Sequence, residues 1–264
     1  MEVIGLLGPA GSGKDLVADW LVERNYVKVA FADVMKRLTL DVFNMNTAAL
    51  WGPSQERNKP HEVNWQLVRE RLTSSKTFEK WSHELLNYGD PRREELVSAL
   101  DSWFHTLPDL GPSPFQTTAR IVLQTLGTEM GRNFDPLLWV NYVYQHTLPQ
   151  LKRGMEYHAD LGVMFYVSSQ KKYGVVVPDH RFKNEVEETQ KSGGYVIRLR
   201  RPALEAQSEI IGLRGHASEN EQKSLDDSVF DLVLNLGEGI PTVHTELEQA
   251  FAPERKAEWM TPRP

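Results

Sequence analysis

The sequence predicts an α/β fold in which a parallel sheet of about five strands is flanked by helices. Three observations lead to this prediction. Short apolar runs suited to buried strands recur along the chain, helical patterns alternate with them, and a glycine-rich loop joins the first strand to the first helix. This alternation is typical of parallel sheets, because their crossover connections run through helices that cover both faces.

Each element has its own local signal. The first strand is the apolar run 3–7, and apolar residues recur at helical spacing after the loop that follows it. The other strand candidates are 27–31, 162–167, 174–179, 195–199 and 232–234, and helical patterns cover 34–43, about 136–151, 184–192 and a segment from 117 onward. We expect 162–167 and 174–179 to form a hairpin that leads into a core strand.

Residues 44–115 differ in character from their surroundings. A turn-rich stretch is followed by two helical patterns and a proline-rich connector. We therefore predict a core formed by 1–43 and 116–252, with 44–115 as a helical insertion that binds a second substrate. The polar, proline-bearing segment 253–264 reads as a loosely held C-terminal tail.

Composition excludes several classes of function. The net charge is −6, and the sequence pI is about 5.8, so a surface that binds nucleic acid is not expected. There are no cysteines, which excludes disulfides and thiolate metal sites. No apolar run is long enough to span a bilayer, and the chain runs from Met1 almost directly into the first strand, so we expect a cytoplasmic protein without a membrane partner. The sequence does not define the oligomeric state, and a homodimer is one option.

The loop Gly8-Pro9-Ala10-Gly11-Ser12-Gly13-Lys14 has the spacing of a phosphate-binding loop. Its glycines allow a tight path that turns backbone N–H groups toward an anion at the start of a helix, where the helix dipole also favours negative charge. Lys14 would reach the β- and γ-phosphates. Asp15 occupies the position where a Ser or Thr hydroxyl normally binds Mg²⁺, and it either holds the metal, directly or through water, or caps the helix. The two roles are compatible.

Further acidic and basic residues stand where strands end and helices begin. Asp33 and Asp179 follow apolar runs, and each is either part of a metal site or a helix cap. Arg181 and Glu185 lie four residues apart, which suits either a substrate role or a solvated surface pair.

The segment 120–139 concentrates polar groups between apolar anchors. Candidates for contacts with a phosphate or a base edge are Arg120, Gln124, Gly127, Thr128 and Arg132. Trp139 would stack on a base or, as we favour from the sequence alone, pack in the core. Arg198, Arg200 and Arg201 precede a segment suited to a lid over phosphates, although exposed arginines more often form a solvated face.

Taken together, these blocks resemble the deoxynucleoside monophosphate kinases of tailed bacteriophages. The resemblance spans nearly the whole chain and rests on GPAGSGKDLVADWL, FADVMKRL, WGPSQERNKP, TARIVLQTLGTEMGRNFDPLLWV, VVVPDHRFKNEVEETQKSGGYVIRLRRP and HASENE, in the family's order. The Gly-Lys-Asp form of the loop is typical of that family. Two departures are Leu16, where the family often has Thr, and the stretch 162–174, which is an addition without an assigned role.

The resemblance implies a P-loop NTPase-like fold and transfer of the γ-phosphoryl group of ATP to a deoxynucleoside monophosphate, with Mg²⁺ as cofactor, in the host cytoplasm if the protein is phage-encoded. By motif, Gly11 to Leu16 would bind ATP, with Asp15 and Asp179 at the metal. Lys36, Arg57 and Arg120 would hold the acceptor phosphate, and Gly127, Thr128 and Trp139 would form the nucleoside pocket. Asp179, Arg181 and Glu185 lie in the block that the family uses around the reaction centre.

Two other hypotheses remain at this stage. The chain could be another small-molecule P-loop kinase, similar to dephospho-coenzyme A kinase or phosphomevalonate kinase, which share the strand–loop–helix start. It could also be a nucleotide-binding module without acceptor-dependent turnover. The second hypothesis leaves the cluster around Arg120 and Trp139 unexplained.

Overall fold

The computed structural model describes residues 1–53, 55–73, 75–86, 89–158, 163–166, 172–202, 221–222 and 224–261. The chain forms two compact units, which we call unit 1 (Met1–Ala30 with Gln170–Pro264) and unit 2 (Phe31–Ser169). The predicted division into core, insertion and tail stays a prediction.

Strands and helices are numbered in chain order. The strands are β1 Glu2–Leu7, β2 Tyr26–Lys28, β3 Pro60–Glu62, β4 Gln116–Thr118, β5 Met155–His158, β6 Val163–Tyr166, β7 Gly174–His180, β8 Tyr195–Arg200 and β9 Leu232–Asn235. The helices are α1 Lys14–Val22, α2 Ala32–Phe43, α3 Thr47–Trp51, α4 Trp65–Thr73, α5 Ser75–Leu85, α6 Arg93–Leu110, α7 Ala119–Thr125, α8 Leu138–Tyr142, α9 Leu148–Lys152, α10 Lys183–Lys191, α11 Ile240–Ala250 and α12 Pro253–Trp259.

Unit 1 contains a five-stranded sheet in the order β2-β7-β1-β8-β9. Every neighbouring pair in it is parallel, so the predicted fold class is confirmed. The chain leaves the central strand β1 toward β2 and β7 on one side and later toward β8 and β9 on the other. In open sheets with such a reversal, ligands bind beyond the carboxyl ends of the strands, next to the central strand.

Both faces of this sheet are buried by helices. Ile4 and Leu6 point to the face that packs against Val17 and Leu21 of α1. Leu7 points to the opposite face, where it packs against Val186 of α10. This is why the strands read as continuous apolar runs rather than as alternating patterns.

A β-bulge interrupts the pairing of β1 with β7 near their carboxyl ends. Gly5 pairs with Val177, but Leu7 pairs with His180, so β7 contains one extra residue between these positions. Pro178 lies in this interval and has no N–H group with which to continue the ladder. Asp179 lies in the same interval, and bulges commonly redirect the side chain at such a position.

Unit 2 is mainly helical, with two antiparallel strand pairs, β3 with β4 and β5 with β6. The predicted hairpin of 162–167 with 174–179 is wrong, because β6 pairs with the upstream strand β5. The sequence of β5, Met155-Glu156-Tyr157-His158, carries too little apolar character to be recognised as a strand. Two predicted helices also contain π-turns, at Leu126–Arg132 and Val143–Thr147.

The C-terminal segment differs from the expected loose tail over residues 253–259. These residues form α12, which begins with a proline in its first turn. Trp259 is only 8% exposed, and its ring lies edge-on to Phe251 and Tyr195. Lys256 also pairs with Glu2 at 2.9 Å, so the segment is held by a buried tryptophan together with an ion pair. None of the helices in the described ranges has the length and apolarity to cross a membrane.

Candidate functional site

The loop between β1 and α1 adopts a path that requires glycine. Gly11 and Gly13 have φ angles of 79° and 95°, in the left-handed region. A Cβ atom on Gly8 would lie 2.6 Å from Ser12 Oγ and 2.7 Å from the carbonyl oxygen of Leu199. The predicted glycine positions therefore form one tightly packed turn at the carboxyl end of the central strand.

Lys14 lies folded over this turn. Its ammonium group donates to the carbonyl oxygens of Gly8 at 2.5 Å and Pro9 at 2.7 Å. Ser12 is fully buried, and its hydroxyl oxygen has no hydrogen-bond partner among the described residues. A cation, a helix N-terminus and a glycine-rich turn in one place form the kind of site that binds phosphate groups.

Asp15 makes a contact that the sequence did not indicate. Its side chain is 86% exposed, and Oδ1 accepts a hydrogen bond from Lys28 Nζ at 2.9 Å. Lys28 also contacts Asp19 at 3.1 Å. Burial lowers the pKa of Lys28, but the hydrogen bonds and charges of Asp15 and Asp19 outweigh it, so the net pKa is raised. The N-cap of α1 is Gly13, which makes no side-chain capping bond, and Asp15 lies in the first turn.

Asp179, Arg181 and Glu185 lie at the end of β7 and the start of α10. Asp179 is half-buried beside the bulge, next to the end of β1 from which the loop departs. The buried Glu185 carboxylate accepts hydrogen bonds from the backbone N–H groups of Arg181 at 2.7 Å and Phe182 at 3.1 Å. Arg181 and Glu185 therefore meet through the backbone, and Glu185 caps the helix that Arg181 precedes.

The three arginines that precede the predicted lid segment have different surroundings. Arg198 is buried and donates to Asp227 at 3.1 Å, and Arg200 pairs with the same carboxylate at 2.9 Å. Arg201 instead donates to the carbonyl oxygen of Gly11 in the glycine-rich loop, at 3.3 Å. The predicted lid segment, near residue 216, lies outside the described residues.

The oxygen donors beside the loop have the chemistry that Mg²⁺ prefers. Asp15 and Asp179 supply carboxylates at the carboxyl edge of the sheet, and Ser12 adds a buried hydroxyl oxygen without a partner among the described residues. Mg²⁺ keeps several waters and needs only one or two protein carboxylates when phosphates supply further oxygens. Across the same described residues, no cluster of three or more His, Asp or Glu side chains has the arrangement of a metal site.

In unit 2, the predicted phosphate-contacting residues lie on elements that pack together. Helix α7, which carries Arg120 and the exposed Gln124, packs against α2 and against the turn Glu56–Asn58. The Arg120 guanidinium donates to Asn58, the neighbour of Arg57. Lys36 lies on α2 and donates to Asp33 at 3.0 Å. The structure thus brings Arg120 to the turn that bears Arg57 and places α2 against α7.

Trp139 packs in the interior of unit 2. Its ring is 6% exposed, and its indole N–H donates to the carbonyl oxygen of Gly127 at 3.1 Å. A Cβ atom on Gly131 would lie 2.2 Å from Trp139 Cζ2, so this ring requires a glycine opposite it. Thr128 is half-buried in the π-turn Leu126–Arg132, which also contains Gly127 and Gly131. Arg132 donates to the carbonyl oxygen of Pro136 at 3.2 Å.

For Asp33 the sequence left two roles open, part of a metal site or a helix cap. The residue lies in the interior of unit 2 and is 4% exposed. Its carboxylate accepts hydrogen bonds from three side chains, Lys36, Trp51 and Tyr157. These hydrogen bonds offset the cost of burying its charge. Sequence reasoning missed Trp51 and Tyr157, since neither has a local signal that relates it to Asp33.

The fold and the loop define a class of protein. The chain is an α/β protein with a five-stranded parallel sheet and a glycine-rich loop, followed by lysine, between its central strand and the first helix.

No family model matches the chain. The chain is 23% identical over 236 residues to a protein of Acanthamoeba polyphaga mimivirus that carries the provisional name deoxynucleotide monophosphate kinase, covering 89% of this chain and 88% of the relative. The crystal structure of TT1252 from Thermus thermophilus matches with a TM-score of 0.36 and 14% identity, over 95% of this chain and 96% of that one.

Proposed function

We propose that this protein transfers the γ-phosphoryl group of ATP to the phosphate of a deoxynucleoside monophosphate, in the cytoplasm and with Mg²⁺. The observation that carries the proposal is the loop 8–14, with two left-handed glycines and Lys14 folded over the start of α1 at the carboxyl edge of the sheet. The mimivirus relative aligns with this chain over most of both sequences, and its name supports the same class of reaction.

On the donor side, residues Gly11 to Leu16 bind the phosphates of ATP. The backbone N–H groups at the start of α1 and the Lys14 ammonium provide positive charge there. Lys14 exchanges its bonds to the carbonyls of Gly8 and Pro9 for phosphate oxygens. Arg201, which already touches the loop at the Gly11 carbonyl, adds a second cation.

On the acceptor side, Lys36, Arg57 and Arg120 bind the monophosphate. Guanidinium groups suit this task, because each presents two parallel N–H donors to the oxygens of one phosphate. The turn with Gly127 and Thr128 forms the nucleoside pocket, and Trp139 supports it by its bond to the Gly127 carbonyl. Gln124 and Arg132 lie on the same segment and contribute contacts to the acceptor, while Arg181 contributes charge at the reaction centre.

The chemistry requires no general base. An acceptor phosphate oxygen, already ionised at neutral pH, forms a bond to the γ-phosphorus, and the bond from that phosphorus to the bridging oxygen of ADP breaks. The protein aligns the two phosphates and stabilises the charge that spreads over the transferred group. Asp15 and Asp179 would hold Mg²⁺, which would neutralise charge on the phosphate oxygens.

A panel of acceptors tests the proposal. The purified chain is incubated with ATP, Mg²⁺ and one acceptor at a time, and ADP and the phosphorylated product are quantified. We expect turnover with deoxynucleoside monophosphates and little with dephospho-coenzyme A or phosphomevalonate. Preferential use of either of the last two would replace the proposal with another kinase activity. ATP binding without turnover for any acceptor would indicate a nucleotide-binding module instead.

A further inference from the structure

The carboxylate of Asp33 is the centre of a buried polar cluster in unit 2. Oδ1 accepts hydrogen bonds from Lys36 Nζ at 3.0 Å and Trp51 Nε1 at 3.2 Å, while Oδ2 accepts one from the Tyr157 hydroxyl at 2.6 Å. These donors come from three different elements, α2, α3 and β5. The carboxylate is therefore held in one orientation by bonds to both of its oxygens.

Lys36 is fixed by the same cluster but keeps binding capacity. Its side chain is 14% exposed, and its ammonium lies 5.5 Å from the centre of the Trp51 ring. Among the described residues, Nζ has one hydrogen-bond acceptor, Asp33 Oδ1. An ammonium has three N–H groups, so two remain for a ligand.

Tyr157 is a dedicated donor to Asp33. Burial, followed by the charge of Asp33 and the hydrogen bond to it, raises the pKa of the tyrosine well above its ordinary value. The hydroxyl therefore stays protonated at physiological pH and donates to the carboxylate. Tyr157 lies on β5 and is paired with Met164 of β6, which belongs to the stretch 162–174 for which the sequence suggested no role.

We propose that Asp33 and Tyr157 are positioning residues that hold the Lys36 ammonium for the phosphate of the acceptor nucleotide, and that the β5–β6 hairpin belongs to the acceptor site through Tyr157. The inference rests on the proposed function. It adds two residues and one structural element that the sequence motifs did not associate with the acceptor.

The physical reason is preorganisation. A lysine side chain is long and loses about 2 kcal/mol of rotamer entropy when it is fixed. Bonding to an oriented carboxylate fixes Lys36 before the ligand arrives, so that this cost does not fall on binding. Removal of the Tyr157 hydroxyl takes away the bond that orients Oδ2, which loosens the carboxylate and the ammonium bonded to it.

The test is a Tyr157→Phe variant. Titration calorimetry with dAMP, dCMP, dGMP and dTMP in turn, without ATP, gives the acceptor Kd, and steady-state assays with ATP give the KM values. We expect the acceptor Kd and KM to rise about tenfold, as for loss of a hydrogen bond to a charged group, with the KM for ATP unchanged. The matched control is Tyr195→Phe, which removes a partly buried hydroxyl bond of 2.9 Å to the Met260 carbonyl in unit 1 and should leave the acceptor Kd unchanged.

A double-mutant cycle separates positioning from a general loss of structure. Lys36→Gln keeps a donor for the buried Asp33 carboxylate but removes the cation. If Tyr157 acts through Lys36, then Tyr157→Phe should have little further effect on the acceptor Kd in the Lys36→Gln background. An equal loss in both backgrounds, or no loss in either, overturns the inference while leaving the proposed function standing. A wild-type chain that binds none of the four monophosphates overturns both.

Discussion

The stability of this protein should depend on pH through one buried histidine in unit 1. His180 has no exposed surface. Its Nδ1 lies 3.2 Å from the carbonyl oxygen of Val177, and its Nε2 lies 2.7 Å from the hydroxyl oxygen of Thr189. Because a carbonyl only accepts, Nδ1 carries the proton, and Nε2 accepts from Thr189. Burial lowers the pKa of His180 and so favours this neutral form of the ring in the native state.

The magnitude follows from the shift in the pKa of His180. Burial lowers this pKa to about 4, from about 6.5 in the unfolded chain. Between these values the unfolded state binds a proton that the folded state does not, so the free energy of unfolding falls as pH falls below about 6.5. The loss amounts to about 2 kcal/mol between pH 7.5 and pH 5, and to about 3 kcal/mol once pH is below 4.

Urea unfolding at pH 7.5, 6.5, 5.5 and 5.0 measures this loss, with His180→Gln as the comparison. The variant should be less stable at pH 7.5, because Thr189 and Val177 lose their partner. Its free energy of unfolding should nevertheless depend less on pH than that of the wild type, by about 2 kcal/mol over this interval. All other titrating groups are common to both chains. Parallel profiles for the two proteins would refute the assignment of a neutral, buried His180.

Two further variants test the loop and the packing of unit 2. Lys14→Ala should lower turnover by roughly 10²–10³-fold, as for loss of one charge-stabilising donor, without lowering the melting temperature. The control is Lys191→Ala, which removes an 80% exposed lysine and should keep wild-type turnover in the same assay. Gly131→Ala places a Cβ atom 2.2 Å from the ring of Trp139 and should cost about 1–3 kcal/mol, or about 3–10 °C in melting temperature. Gly127→Ala meets only the end of a methionine side chain at 3.1 Å, so calorimetry should show a smaller loss for it.

The elements that the sequence predicted correctly are those with local signals. The run from Val3 to Leu7, the glycine-rich loop and the following helix are adjacent in the chain, and each is specified by residues within its own turn or strand. The five apolar runs of the parallel sheet also carry their own signal, because strands buried on both faces need no partner to be recognised.

The parts that were missed depend on contacts between distant residues. Tyr157 and Asp33 are separated by 124 positions, and nothing around either residue indicates the other. The pairing of β6 with β5 rather than with 174–179 depends on a mixed polar strand whose own pattern is weak. The helix at 253–259 depends on burial of Trp259, which only the assembled core provides.

Asp15 shows how a local departure is compensated by a residue that the motif does not contain. A carboxylate in place of a hydroxyl at the start of α1 brings negative charge next to a loop suited to phosphates, and the two would repel each other. The structure provides a cation for it, because Lys28 at the end of β2 contacts Asp15 at 2.9 Å and Asp19 at 3.1 Å. The N-terminus of α1 adds further positive potential in the same turn. The loop and β2 therefore form one electrostatic unit, and Asp15 has to be interpreted together with Lys28 rather than with the glycine motif alone.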